Sequence, residues 1–183
     1  MDSKKIIVAL DSDNLEKTLK LVKILNKEVY AFKIGYQFFF NFGLIGYKKI
    51  YSLSPKIFLD LKLHDIPNTV RNGLKAIMKS KPLMTTVHIS GGDVMMKASK
   101  TNNTNTKILG VSILTSLDRK QTKKFYNQSN ISLLVKKFAN YAKKNGLDGL
   151  VCSPKEIKHI RKEVGKNFII VTPGIRIKNK LKT

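Results

Sequence analysis

Seven short apolar runs, almost unbroken by polar residues, recur along this chain, and stretches of helical periodicity fill most of the intervals. They are IIVALD (6–11), YAFKIG (30–35), KIFLDLKL (56–63), TTVHIS (85–90), KILGVSIL (107–114), GLVCS (149–153) and FIIVTPGI (168–175). A strand with one wet face alternates apolar with polar residues, whereas a continuous apolar run suits a strand buried on both faces, as in a parallel sheet covered by helices. The intervals supply the helices. Leu15, Leu19, Val22 and Leu25 make one apolar face behind Asp13 and Glu16, which have capping-box spacing. A Phe-rich helix is expected from about Gln37. Pro67 suits a first helical turn, with Val70, Leu74 and Ile77 on one face behind it, and further helices are expected over 131–144 and 154–164.

Repeated strand-helix units form either an open doubly wound sheet or a closed barrel of eight parallel strands. No Gly-x-Gly-x-x-Gly follows the first run, which weakens the dinucleotide-binding sheet. The expected architecture is therefore α/β, a TIM (β/α)8 barrel with about seven strands present, forming a single domain over residues 1–183.

Composition narrows the function. A hydrophobic content of 42% over 183 residues is enough for a real core. No apolar run approaches the roughly 18 residues of a membrane helix. The start of the chain is too polar for a secretory signal, so a cytoplasmic location is expected. The lone cysteine, Cys152, permits no internal disulfide. A net charge of +23 raises the question of a polyanionic partner. Only four of the 35 basic residues are Arg (Arg71, Arg119, Arg161, Arg176), and no aromatic residues interleave with the basic ones as in single-strand binders. We read the lysines as a solvated surface whose field helps to attract a phosphate ester, with neither nucleic acid nor membrane as partner.

In a β/α barrel the chemistry sits at the carboxyl ends of the strands. Ionisable residues gather there: Asp11 after the first run, Lys33 late in the second, Asp60 and Lys62 late in the third, and His88 late in the fourth. Thr115 follows the fifth and Arg176 the seventh. Residues two apart on a strand share a face, so Asp60 and Lys62 are expected to point together toward the barrel mouth, with Leu59, Leu61 and Leu63 on the other face. A buried charge needs a partner, and an alternating set of Lys33, Asp60, Lys62 and Asp65 would meet that need while fixing a lysine as a proton donor beside negative charge. Such a device suits a reaction in which carbanion character develops beside the lysine. Simpler readings exist for the others. Asp65 is placed to cap the helix beginning at Pro67, Thr115 to cap a following segment, and Asp11 to be a loop carboxylate. His64 and His88 read as packing or hydrogen-bonding residues, because three histidines without a clustered ligand set do not suggest a metal site.

The segment DLKLHDIPNTV (60–70) resembles the signature of the orotidine 5'-phosphate decarboxylase family, Asp-x-Lys-x-x-Asp followed by an Ile-Pro-Asn-Thr-like segment. IVALD, FKIG, VHISGG, GVSILTS, VCSP and VTPGIR agree with the family in order and spacing. The resemblance implies decarboxylation of orotidine 5'-phosphate to UMP, with Lys62 protonating C6 and Asp60 near the substrate carboxylate. It implies that Asp11 and Lys33 hold the ribose region, that Thr115 lies near the pyrimidine, and that Arg176 contacts the nucleotide toward its phosphate. It also implies a homodimer in which Asp65 and Thr69 reach the partner's site, and no metal or other cofactor. The alternative is the related, magnesium-dependent group of 3-hexulose-6-phosphate synthase and 3-keto-gulonate-6-phosphate decarboxylase, against which the IPNTV and TPGIR segments argue. The family continues beyond the position of GIRIKNKLKT with a Gln-bearing loop and a last strand whose Gly-Arg pair grips the phosphate. The sequence-based expectation is accordingly a fragment or truncated product, feeble, inactive or unstable by itself.

Overall fold

The computed structural model describes residues 5–100 and 105–175. Among these residues seven strands form one sheet in the order β1 to β7, each pair of neighbours parallel. They are β1 (Ile7–Ala9), β2 (Ala31–Ile34), β3 (Ile57–Leu63), β4 (Met84–His88), β5 (Lys107–Val111), β6 (Gly149–Val151) and β7 (Ile169–Val171). Every apolar run of the sequence supplied one strand. The observed strands stop short of most runs because the residues at the run ends leave the ladder and enter the loops.

Among the described residues seven α-helices lie between the strands: α1 (Leu15–Leu25), α2 (Tyr36–Leu53), α3 (Pro67–Met78), α4 (Gly92–Ala98), α5 (Arg119–Tyr126), α6 (Ile131–Lys144) and α7 (Ile157–Val164). Val22 is buried on α1, with Leu15, Leu19 and Leu25 packed beside it, as their spacing requires. The cap of α1 differs from the expected capping box. Asn14, not Asp13, is the N-cap, and its Oδ1 accepts from the Lys17 amide at 2.9 Å. Asn and Asp compete equally for that position, so spacing to Glu16 could not choose between adjacent residues. Pro67 opens α3 as expected, and Val70 and Leu74 are buried on its inner face. The 154–164 helix begins as a 3-10 turn over Pro154–Glu156 before α7.

Burial on both sheet faces gives three apolar layers. Phe58, Met84 and Leu109, with Ile7, Val151, Ile169 and Val171 beside them, fill one face. On the other face, Phe32, Ile34, Ile57 and Leu59 pack beneath α1 and α2. Val87, Ile108 and Leu150 pack beneath α3, α4, α6 and α7. Each fully buried Leu, Ile or Phe contributes about 1.5–3 kcal/mol, so these layers are what hold the strand ends in place. Among the described residues no helix is long and apolar enough to cross a membrane.

Candidate active site

The strands deliver two ion pairs to their carboxyl ends. Lys33, on β2, places its Nζ 3.0 Å from Asp11 Oδ1 just beyond β1. Lys62, near the end of β3, places its Nζ 2.8 Å from Asp60 Oδ2. The alternating set of four is thus corrected to two pairs. Lys33 takes Asp11 as partner, and Asp65 stays apart with its Oδ1 accepting from the Ile66 amide at 2.6 Å.

The Asp60–Lys62 contact does not arise from a regular pleat. Leu59 is opposite Thr85 and Leu63 is opposite Val87, so β3 spends four residues where β4 spends two. Lys62 sits inside this bulge with φ of 45°. Left-handed backbone costs a side-chain-bearing residue about 1–2 kcal/mol. Leu59, Leu61 and Leu63 nevertheless all stay on the helix-covered side, Leu59 and Leu61 with the α1–α2 layer and Leu63 with the neighbouring helical layer.

Two hydrogen bonds hold the bulge. The Lys62 amide donates to Thr86 Oγ1 at 2.9 Å, and that hydroxyl donates to Asp60 Oδ1, also at 2.9 Å. A hydrogen bond to a charged group is worth about 1.5–3 kcal/mol net, enough to offset the backbone strain. Both oxygens of Asp60 are therefore engaged, one by a hydroxyl and one by an ammonium, and this satisfies a carboxylate that is only 8% exposed. Lys62 Nζ also lies 5.6 Å from the centre of the Tyr36 ring, while the Tyr36 hydroxyl donates to the Leu61 carbonyl at 3.1 Å.

His64 and His88 lie beside this pair with their rings tilted by 30° and their centres 5.1 Å apart. Burial lowers the His88 pKa below its ordinary 6.5; the neighbouring His64 and Lys62 lower it further, and Asp60 opposes them. A neutral imidazole avoids adding a third cation to the site.

Asp65 and Thr69 are exposed, on the loop after β3 and in the first turn of α3. Asp65 is not a helix cap, since Ile66 holds that position without a side-chain bond. Thr115 is no cap either: Asp118 caps α5 in a capping box with Gln121. Thr115 instead lines a cleft of about 660 Å³ with Ser116, Asn130, Ser132, Lys155 and Glu156, whose lining includes neither ion pair. Arg176 lies outside the described residues. The residues that sequence reasoning missed are Thr86, Gly35 and Tyr36. None left a distinct signal: Thr86 stands beside an identical Thr85 in TTVHIS, and Gly35 and Tyr36 lie at an ordinary strand-to-helix junction.

Known proteins resemble this chain over most of its length. Residues 4–182 match the family model described as "Orotidine 5'-phosphate decarboxylase / HUMPS family". The orotidine 5'-phosphate decarboxylase of Ligilactobacillus salivarius is 43% identical over 183 residues, covering 93% of this chain and 76% of the relative. That of Wigglesworthia glossinidia brevipalpis is 42% identical, covering 95% and 77%. The crystal structure of the Lactobacillus acidophilus enzyme superposes with a TM-score of 0.82 at 38% identity, covering 94% of this chain and 81% of that one. With the family match spanning residues 4–182, relatives above 40% identical over most of the chain and a superposable fold, the chain belongs to the orotidine 5'-phosphate decarboxylase / HUMPS family.

Proposed function

We propose that this protein decarboxylates orotidine 5'-phosphate to UMP and carbon dioxide, in pyrimidine nucleotide biosynthesis in the cytoplasm. One observation carries the reading: the Lys62 ammonium is fixed at 2.8 Å on Asp60, whose second oxygen is tied to Thr86. In the reaction the bond between C6 and the carboxylate carbon breaks, and its electron pair stays on C6. Lys62 delivers a proton to that carbon as carbon dioxide leaves, and the ammonium stabilises the developing charge in a site partly shielded from water. Asp60 stands beside the departing carboxylate and holds the Lys62 amine in place. Asp11 and Lys33 hold the ribose region, and Thr115 contacts the pyrimidine.

Asp65 and Thr69 serve the site of a second subunit. What supports this is their exposure together with that of Ile66, 67% exposed between them, and of Phe40, 78% exposed near the same end of the sheet. Large apolar groups left in water beside functional polar ones suit a surface covered by a partner.

A magnesium-dependent sugar-phosphate reaction fits less well. A hard cation needs several free oxygen ligands, and both Asp60 oxygens already accept from protein donors. The test is turnover of orotidine 5'-phosphate by the purified protein in excess EDTA, followed by UMP formation. Loss of turnover on chelation, or turnover of a hexulose phosphate restored by magnesium, would overturn the reading.

A further inference from the structure

β4 presents two consecutive buried threonines to β3, and the two do different things. Both are 0% exposed. Thr85 Oγ1 donates to the Leu59 carbonyl at 2.9 Å, an ordinary brace between neighbouring strands. Thr86 meets β3 where the bulge has removed the regular ladder partner. Its hydroxyl accepts from the Lys62 amide and donates to Asp60 Oδ1, using one oxygen in both directions.

We propose that Thr86 is a positioning residue of the decarboxylase site, setting the Lys62 backbone and the Asp60 carboxylate relative to one another. The inference rests on the reading of Lys62 as proton donor. A hydroxyl with one proton can donate to only one of these groups. The amide has no acceptor role, so the proton goes to the carboxylate and the lone pair takes the amide. The arrangement thus fixes the carboxylate plane and the left-handed turn with one side chain. Lys62 Nζ is in turn held by the other carboxylate oxygen, which closes a ring of contacts from the lysine backbone, through Thr86 and Asp60, to the lysine amine. Without the hydroxyl, Asp60 keeps only its contact with the Lys62 amine, and the Lys62 backbone loses the bond that opposes its strain. A displacement of reacting groups by an ångström is enough to cost about a hundredfold in rate.

The experiment compares Thr86→Val, Thr86→Ser, Thr85→Val and Lys62→Ala in the full chain, with kcat and KM for orotidine 5'-phosphate and thermal unfolding of each. Thr86→Val should lower kcat by about 10- to 100-fold with KM changed less than about threefold, because the substrate contacts are intact. Thr86→Ser should return kcat to within about threefold of wild type, and Thr85→Val should keep it there despite a lower Tm. If Thr86→Val does not fold, Thr86→Ala, which adds no methyl where the hydroxyl was, carries the comparison. A Thr86→Val or Thr86→Ala enzyme with normal kcat, or a Thr86→Ser enzyme as slow as either, overturns the proposal. Wild-type turnover by Lys62→Ala would instead overturn the proton-donor reading on which it stands.

Discussion

Gly35 leaves room for Lys33: a Cβ at position 35 would lie 2.9 Å from the Lys33 amine and 3.1 Å from Asp11 Oδ1. The backbone at Gly35 has φ of −104°, so an alanine is sterically acceptable to the chain itself. The glycine is therefore required by its neighbours. Gly35→Ala should push the end of the flexible Lys33 side chain off Asp11 with a stability change within about 1 kcal/mol, because alanine also restricts the unfolded chain. Its effect should fall on substrate affinity, with KM raised roughly tenfold, the cost of about 1.4 kcal/mol of lost binding. Steady-state kinetics beside a thermal melt check both halves.

The shared-site reading makes a prediction for mixtures. Lys62→Ala and Asp65→Ala homodimers should each lose activity by about 10²- to 10⁴-fold, the range for a missing proton donor or its charged support. When the two are unfolded together and refolded, random pairing gives half heterodimers, each with one intact site, so activity should rise to roughly a quarter of wild type. Activity that stays at the level of the separate variants would show that Asp65 serves its own subunit.

His88 ties stability to pH. Its folded pKa is lowered, chiefly by burial, so protons bind the unfolded chain more readily. Stability is unaffected by this group above about pH 6.5, and falls as the pH drops below it until the folded imidazole itself titrates. His88→Gln should lose less Tm than wild type between about pH 7.5 and 5.5.

Cys152 should be chemically silent. It is 1% exposed, and burial, with Glu156 beside it, pushes its thiol up to about 12 against a small opposing effect of Arg161. The thiolate is the reactive species, so iodoacetamide at about pH 8 should leave the native protein unlabelled and modify it readily in denaturant. Mass spectrometry of the intact chain distinguishes the two.

The strands were legible because parallel burial writes itself as an unbroken apolar run, and IIVALD through FIIVTPGI each yielded one. Helix α6 was legible to its ends, Ile131 and Lys144, since its apolar stripe is long. Helix α5, RKQTKKFY, is polar nearly throughout and carries little periodicity to read. In the site, the Asp60–Lys62 contact was anticipated from spacing, but the route to it was not. Lysine has no left-handed preference that would announce a bulge at 62, and nothing local tells Thr86 from Thr85. Spacing placed Lys33 in one set with Asp60 and Asp65, and strand register does not choose its partner, since Lys33 is opposite both Ala9, two residues before Asp11, and Phe58, two residues before Asp60; Asp60 is already engaged by Lys62 and Thr86, and Asp11 takes Lys33.

The left-handed backbone of Lys62 sets chemistry against durability at a single position. Glycine is the residue that this conformation prefers, and any other gives up about 1–2 kcal/mol there. Lys62→Gly and Lys62→Ala both discard the amine and both leave Asp60 without it, so their difference isolates the backbone. Lys62→Gly should melt at the higher temperature. Selection for robustness alone would drift toward that glycine, and a lysine kept at position 62 is a stability–function trade-off held in place by turnover.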